Sequence, residues 1–403
     1  MFAHRSVCLL VLMLWGEGGL AATPTHVVLN KARGRVVDQL RVGSPAVRRA
    51  AAATLARMGV TPVVAGALAQ ALASDPDWRV RVQAARTLGQ QGSQAARAVP
   101  RLEHALLTDR RPEVRREVSR NLVQIDPRSA RVALALGRIV RSDPDPGVRR
   151  LAARALGSMG RYAVPAVDDL RRALAGERDR RVRRLVGRVL AQIGPAAAPA
   201  LAQLLGNPLR DVRFVATLSL GQIGRRARRS APAVATLLDD RDLYVRSAAI
   251  WALGRMWVRW TGGPTMDGRT TVSALTRLVR EDPRAGIRKA AAVALGHIGP
   301  GAPGVVDALQ RVLQLDPSGR VRWAAAWALG QMGPKAATAI LALQRTLLRD
   351  PKGKVRGAAA RALGSMGPRA RCAQRALRHA RARDESPEVR RQTVAALRMI
   401  GGG

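Results

Sequence analysis

Three scarcities bound this 403-residue chain before any motif is sought. Only two cysteines are present, Cys8 and Cys372, so no disulfide framework holds the fold, and none within the chain survives if the segment carrying Cys8 is removed. Aromatic residues make up 3% of the sequence against 47% hydrophobic residues overall. The core must therefore be built from Ala, Leu, Val and Ile, a composition that suits closely packed helices. Acids are also few: 28 Asp and Glu stand against 69 Lys and Arg, giving a formal charge of +41. Such a charge suits a polyanionic partner. Yet 64 of those basic residues are Arg and only 5 are Lys, an imbalance that the codon usage of a GC-rich genome also produces.

Signatures of chemistry are missing as well. No P-loop, dinucleotide fingerprint or nucleophile elbow occurs. The five histidines, His4, His26, His104, His297 and His379, lack metal-ligand spacing. The sequence therefore implies no catalytic residue, no metal and no cofactor. Beyond the N-terminal region, no apolar run is long enough to span a bilayer.

What the chain does have is a period. Registered on one apolar residue, it gives Val47, Val80, Val114, Val148, Val182, Val212, Val245, Ile287, Val321, Val355 and Val389, at intervals of 33, 34, 34, 34, 30, 33, 42, 34, 34 and 34. Every unit has Arg directly after this residue and Leu eight after it. A constant period of this length marks a solenoid of stacked supersecondary units. Within each unit, Asp-Pro pairs such as Asp316-Pro317 and Asp350-Pro351 stop a first helix or cap a second. Glycines such as Gly299, Gly333 and Gly367 end that second helix. The expected fold is all-α: a right-handed α-solenoid of about eleven helical hairpins.

The invariant Arg and Leu, at this spacing, resemble HEAT repeats, particularly the short HEAT-like type of phycobilin lyases. The resemblance covers nearly all of residues 44–403. It implies that the Arg, with an acid six residues before it in nine units (Asp75, Asp109, Asp143, Glu177, Asp240, Asp282, Asp316, Asp350 and Asp384), forms a ladder between neighbouring units. The ladder accounts for eleven Arg against nine acids, so almost all of the positive excess lies elsewhere. The resemblance also implies that the second helices line the concave face.

Residues 1–22 read as a secretory signal: a basic start at His4 and Arg5, the apolar run Val7 to Trp15, and small residues near Ala21 and Ala22. Export to a periplasmic or extracellular space is expected, with a soluble mature protein. Residues 23–43 follow as a helical capping segment, and residues 44–403 form the repeat array without an internal boundary.

On each second helix the registered residue and those four, eight and eleven later form the buried stripe. Positions two, six and ten later form the exposed strip. In three consecutive units that strip carries Arg116 and Arg120, Arg150 and Arg154, and Arg184 and Arg188. Six arginines on one surface repel one another by a few tenths of a kcal/mol per pair, a cost that an anion offsets. Further along, the strip presents Trp251, Trp323 and Trp327, and tryptophan is enriched where surfaces bind. The 42-residue interval holds an insertion of about eight residues that adds Trp257 and Trp260. Each feature also has a plainer structural reading: a solvated basic face, or tryptophans that pack within the array.

The expected function is a non-enzymatic scaffold that binds a protein partner or an anionic polymer, such as a polysaccharide or lipid headgroups. Nucleic-acid binding is the first alternative. A lyase- or glycosylase-type HEAT-like enzyme is the second, for which Glu117 and Asp267 are the acids to inspect.

Overall fold

The computed structural model describes residues 25–59, 61–258, 266–300 and 304–401. The signal-sequence reading of residues 1–22 and the side chain of Trp260 lie outside them. Every regular element among the described residues is helical, and the helices group into two compact units, Met1–Asp126 and Pro127–Gly403.

The first unit contains three hairpins. These are α1 (Thr25–Val42) with α2 (Pro45–Met58), α3 (Pro62–Ser74) with α4 (Trp78–Gln90), and α5 (Val99–Thr108) with α6 (Pro112–Ile125). The segment expected to cap the array is thus a full first helix, paired with α2. Arg33 on α1 donates from its Nε to the Met58 carbonyl at 3.1 Å and so ties down the end of α2.

The second unit contains eight hairpins. Its first four are α7 (Ala130–Ser142) with α8 (Pro146–Met159), α9 (Val167–Gly176) with α10 (Arg180–Ile193), α11 (Ala198–Ala202) with α12 (Arg210–Ile223), and α13 (Ala231–Ala235) with α14 (Leu243–Met256). The remaining four are α15 (Met266–Glu281) with α16 (Ala285–Ile298), α17 (Val305–Leu315) with α18 (Gly319–Met332), α19 (Ile340–Arg349) with α20 (Gly353–Ser365), and α21 (Gln374–Arg383) with α22 (Pro387–Gly401).

Local chemistry fixes the hairpin boundaries. The Asp of each Asp-Pro pair ends the first helix in an extended conformation, as at Asp75 and Asp350. Its carboxylate accepts the backbone N–H two residues on, such as Lys352 N to Asp350 at 2.9 Å. The second helix is capped by a later residue, for example Asp145, whose side chain accepts from Val148 N at 2.7 Å. Glycines end the second helices at positive φ, from 53° at Gly160 to 92° at Gly299, a region that other residues enter only with strain.

The registered stripe forms the core. On α18, Val321, Ala325, Leu329 and Met332 are all buried. Among the registered residues the one exception is Val47, which lies in the terminal repeat and is 41% exposed. Truncating one of the fully buried leucines, such as Leu329, removes roughly 2–5 kcal/mol of packing and leaves a cavity.

Candidate functional site

The arginine after the registered residue is structural, and it holds two repeats at once. Arg322 donates Nη1 to the carbonyl of Asp316 in its own repeat at 2.9 Å. It also forms a bidentate pair with Asp350 of the next repeat, at 2.7 and 3.1 Å. The same two-way contact recurs at Arg81, Arg149, Arg213, Arg288 and Arg356. Hydrogen bonds to the facing carboxylates raise the pKa of Arg322 and Arg356. Where Asn207 replaces the acid, Arg183 reaches Asp211 instead, with a single bond of 3.0 Å. Across the insertion the ladder stops: Arg246 keeps the Asp240 carbonyl at 2.7 Å, but its buried Nε has no hydrogen-bond partner.

Within the second unit the second helices pack against one another more tightly than the first helices do, which places them on the inner side of the stack. Glycine nine residues after the registered position, present on α8, α12, α14, α16, α18 and α20, makes this possible. A Cβ added at Gly296 would lie 2.9 Å from the Ala328 Cα, and one at Gly330 would lie 3.0 Å from the Ala362 Cα. The recurring Leu-Gly pair in the sequence carries this signal, which a search for exposed functional residues passes over.

Onto this inner layer the structure places most of the candidate residues. Arg150, Arg154, Arg184 and Arg188 are exposed on α8 and α10, and among the described residues they form no ion pair. The seven helices α8, α10, α12, α14, α16, α18 and α20 carry a single acid, Asp211, already engaged by Arg183. The arginine face is therefore unneutralised by its own layer.

Arg116 and Arg120 belong to the other unit, on α6. Arg120 is exposed but paired with Glu117 at 2.9 Å. Glu117 is itself buried and also accepts from Arg86 at 3.0 Å and Asn121 at 3.1 Å. The acid singled out for an enzymatic reading is thus a triply engaged anchor. The side chain of Asp267 lies outside the described residues.

The tryptophans divide. Trp251 is 42% exposed and lies across Gly221 of the preceding second helix, where an added Cβ would approach its ring to 2.4 Å. Trp327 does the same over Gly296, and its indole meets the His297 imidazole edge-on with ring centroids 5.2 Å apart. Trp323 and Trp327 are half-buried. Burial and the nearby positive charge of Arg255 push the pKa of His297 down, so it is neutral beneath Trp327 at neutral pH. Trp257 corrects the expectation of a surface tryptophan: it is 1% exposed. It occupies the position where other repeats have their helix-ending glycine, so it turns into the core, and the Arg228 guanidinium covers its ring at 4.7 Å.

The sequence model of the family described as HEAT repeats matches seven overlapping stretches: 35–123, 99–191, 133–221, 167–254, 198–296, 256–330 and 272–345. The chain belongs to the HEAT-repeat family. Its fold is an all-α solenoid, and solved HEAT-type structures align with it along nearly its whole length. The karyopherin Kap121p bound to the extreme C-terminus of the protein phosphatase Cdc14p matches at a TM-score of 0.64 and 14% identity, over 95% of this chain and 46% of that one. Kap121p bound to Nup53p gives a TM-score of 0.63 at 14% identity, over 96% and 46%. The chain thus spans about half the length of these karyopherins, and at this identity the likeness is one of fold. Among proteins of curated function, none matches in sequence.

Among the described residues no group of His, Cys, Asp and Glu is placed to hold a metal, and no helix is long and apolar enough to cross a membrane. A depression of about 640 Å³ opens beside the shortened α11, bordered by Asn207, Pro208, Arg213 and Arg241. None of the candidate arginines or tryptophans borders it.

Proposed function

We propose that this HEAT-repeat chain is an exported, non-enzymatic scaffold that holds an acidic protein along the second helices of the unit Pro127–Gly403. Arg150, Arg154, Arg184 and Arg188 meet carboxylates of the partner. Trp251, Trp323 and Trp327 supply apolar anchors. The observation that carries this reading is the charge of the inner layer: exposed arginines at helical spacing, with no acid within reach on their own helices. Leaving like charges side by side is unfavourable in the free protein, and an anionic partner removes that cost. A protein partner is favoured over a polymer of uniform charge because the arginines give way to half-buried aromatic residues along the same layer, and aromatic anchors are the usual centre of a protein interface. The Kap121p structures, one bound to the extreme C-terminus of Cdc14p and one to Nup53p, support the use of such a fold to hold protein. Export rests on the apolar run Val7 to Trp15 and the small residues after it; N-terminal sequencing of protein recovered outside the cytoplasm checks it.

The binding reading is tested by capture from the native envelope fraction at low and high salt, with wild type and the variant R150E/R154E/R184E/R188E. Retention of acidic proteins by wild type and their loss from the variant is expected. Unchanged capture by the variant refutes the assignment. Retention of generic DNA or RNA, falling by about 0.9 log units per log unit of salt for each phosphate neutralised, replaces it with the nucleic-acid reading.

A further inference from the structure

The inner layer of the second unit is a grid with a fixed register. Gly157 of α8 faces Val189 of α10, and Gly187 of α10 faces Val215 of α12. Gly221 faces Ala252, Gly254 faces Ala294, Gly296 faces Ala328 and Gly330 faces Ala362. Each of these pairs joins a position on one helix to the position two earlier in the next repeat. The offset is constant from α8 to α20, so equivalent positions form straight rows across the helices. The row six residues after the registered position reads Arg154, Arg188, Leu218, Trp251, Val293, Trp327 and Arg361. Leu218, Val293 and Trp327 are half-buried and Trp251 is 42% exposed, while Arg154, Arg188 and Arg361 are exposed. Among the described residues none of these three arginines forms an ion pair. Four apolar positions on adjacent helices are thus bracketed by cations at both ends.

We infer that this row binds one extended peptide segment with four apolar side chains at every third residue and acidic residues on both sides of them. The period follows from the spacing of the helices. Packed helices lie about 8–10 Å apart, and glycine contacts hold these close together. Three residues of polyproline II advance about 9.3 Å, and three of a strand about 10 Å. One side chain in three therefore meets each successive helix. A peptide helix at 1.5 Å per residue falls out of step, since about six residues separate one row position from the next. From Arg154 to Arg361 the row crosses seven helices, which roughly nineteen residues of extended chain would span. The charges fix the ends: carboxylates face Arg154 and Arg188 at one and Arg361 at the other, and the single acid of these inner helices, Asp211, is held by Arg183. This inference rests on the proposed binding of an acidic protein and specifies the form of the segment that is held.

Three fluorescently labelled nineteen-residue peptides test it by anisotropy titration. The first has glutamates at both ends and four leucines at every third position between them, on a Gly/Ser background. The second is an isomer with the leucines at every second position, and the third replaces all four leucines by serine. The first is expected to bind at least about tenfold more tightly than either of the others, the factor expected of two or more aromatic anchors that are used. Trp251→Ala combined with Trp327→Ala should remove that preference while leaving the serine peptide's affinity unchanged, and a thermal melt confirms that the variant is folded. Equal affinity for the two leucine spacings overturns the inference. If the serine peptide still binds and is lost on reversing Arg150, Arg154, Arg184 and Arg188 to Glu, only the spacing falls and the acidic-partner reading stands. If no acidic peptide binds, both fall.

Discussion

Helix α6 in the first unit and helices α8 and α10 in the second carry arginines at the same two strip positions, yet their surfaces differ. On α6, Arg120 is held by Glu117, which sits three residues after the registered Val114. The equivalent residues on α8 and α10 are Leu151 and Leu185. One side chain per helix decides whether the strip is neutralised in place or left open to a partner. An arginine at an exposed helical position is therefore not a binding signal by itself. The signal is an arginine with no acid within one turn on its own helix or across from it on the next.

The largest effect expected separates the structural arginines from the strip. Arg322→Ala leaves Asp350 buried without its partner and should cost roughly 3–5 kcal/mol in denaturant unfolding. Arg154→Ala should stay within about 0.5 kcal/mol. If the two variants melt alike, the division between ladder and strip is wrong. Gly296→Val comes next: its side chain meets the Ala328 backbone and the Trp327 ring, and overpacking of about 1–3 kcal/mol is expected, together with weaker peptide binding because the row is displaced. A third substitution copies α6 onto the second unit. Leu151→Glu with Leu185→Glu adds an acid beside each bare arginine pair and should weaken binding of an acidic peptide about tenfold, or about 1.4 kcal/mol, without touching an arginine. An unchanged affinity would show that the neighbouring acid is not what distinguishes the two regions.

The smallest effect is a dependence on acid. Burial is the largest influence on the carboxyls of Asp240 and Asp384 and pushes them up, but the hydrogen bonds from Arg213 and Arg356, the backbone N–H groups of Asp242 and Ser386 and the nearby arginine charges together outweigh it, and both end below the ordinary value. A depressed folded pKa stabilises the fold above the unfolded value of about 3.9 and ceases to do so as the pH falls through the folded one. The melting temperature should be nearly level from neutral pH down to about 5 and fall below about 4. Arg356→Ala should flatten that fall.

Much of this was legible in the sequence. The 34-residue period, the helix-ending glycines and the acid-to-arginine ladder are local or strictly periodic, so pattern alone finds them. Four things were not. The expected cap, residues 23–43, is the first helix of a complete hairpin, because its apolar spacing is the same whether it covers the array or belongs to it. Trp257 reads as an insertion residue until its register is counted, which puts it at the buried helix-ending position. Glu117 reads as a free acid because its partners Arg86 and Arg120 lie one on the previous repeat and one on its own helix, and pairing across repeats has no one-dimensional signature. The rows of the inner layer depend on the two-residue offset between helices, which only the packed glycines reveal.

The central claim is that the unpaired arginines of α8 and α10 form the anion-binding surface, whereas the paired arginine of α6 does not. The direct measurement is the affinity of one labelled glutamate-rich peptide for three proteins at fixed low salt: wild type, R150E/R154E/R184E/R188E, and R120E. A loss of at least about a hundredfold (about 2.7 kcal/mol) in the quadruple variant, with R120E within about threefold of wild type, is the predicted result. Comparable affinity in the quadruple variant and wild type, or a loss in R120E as large as that in the quadruple variant, would contradict it.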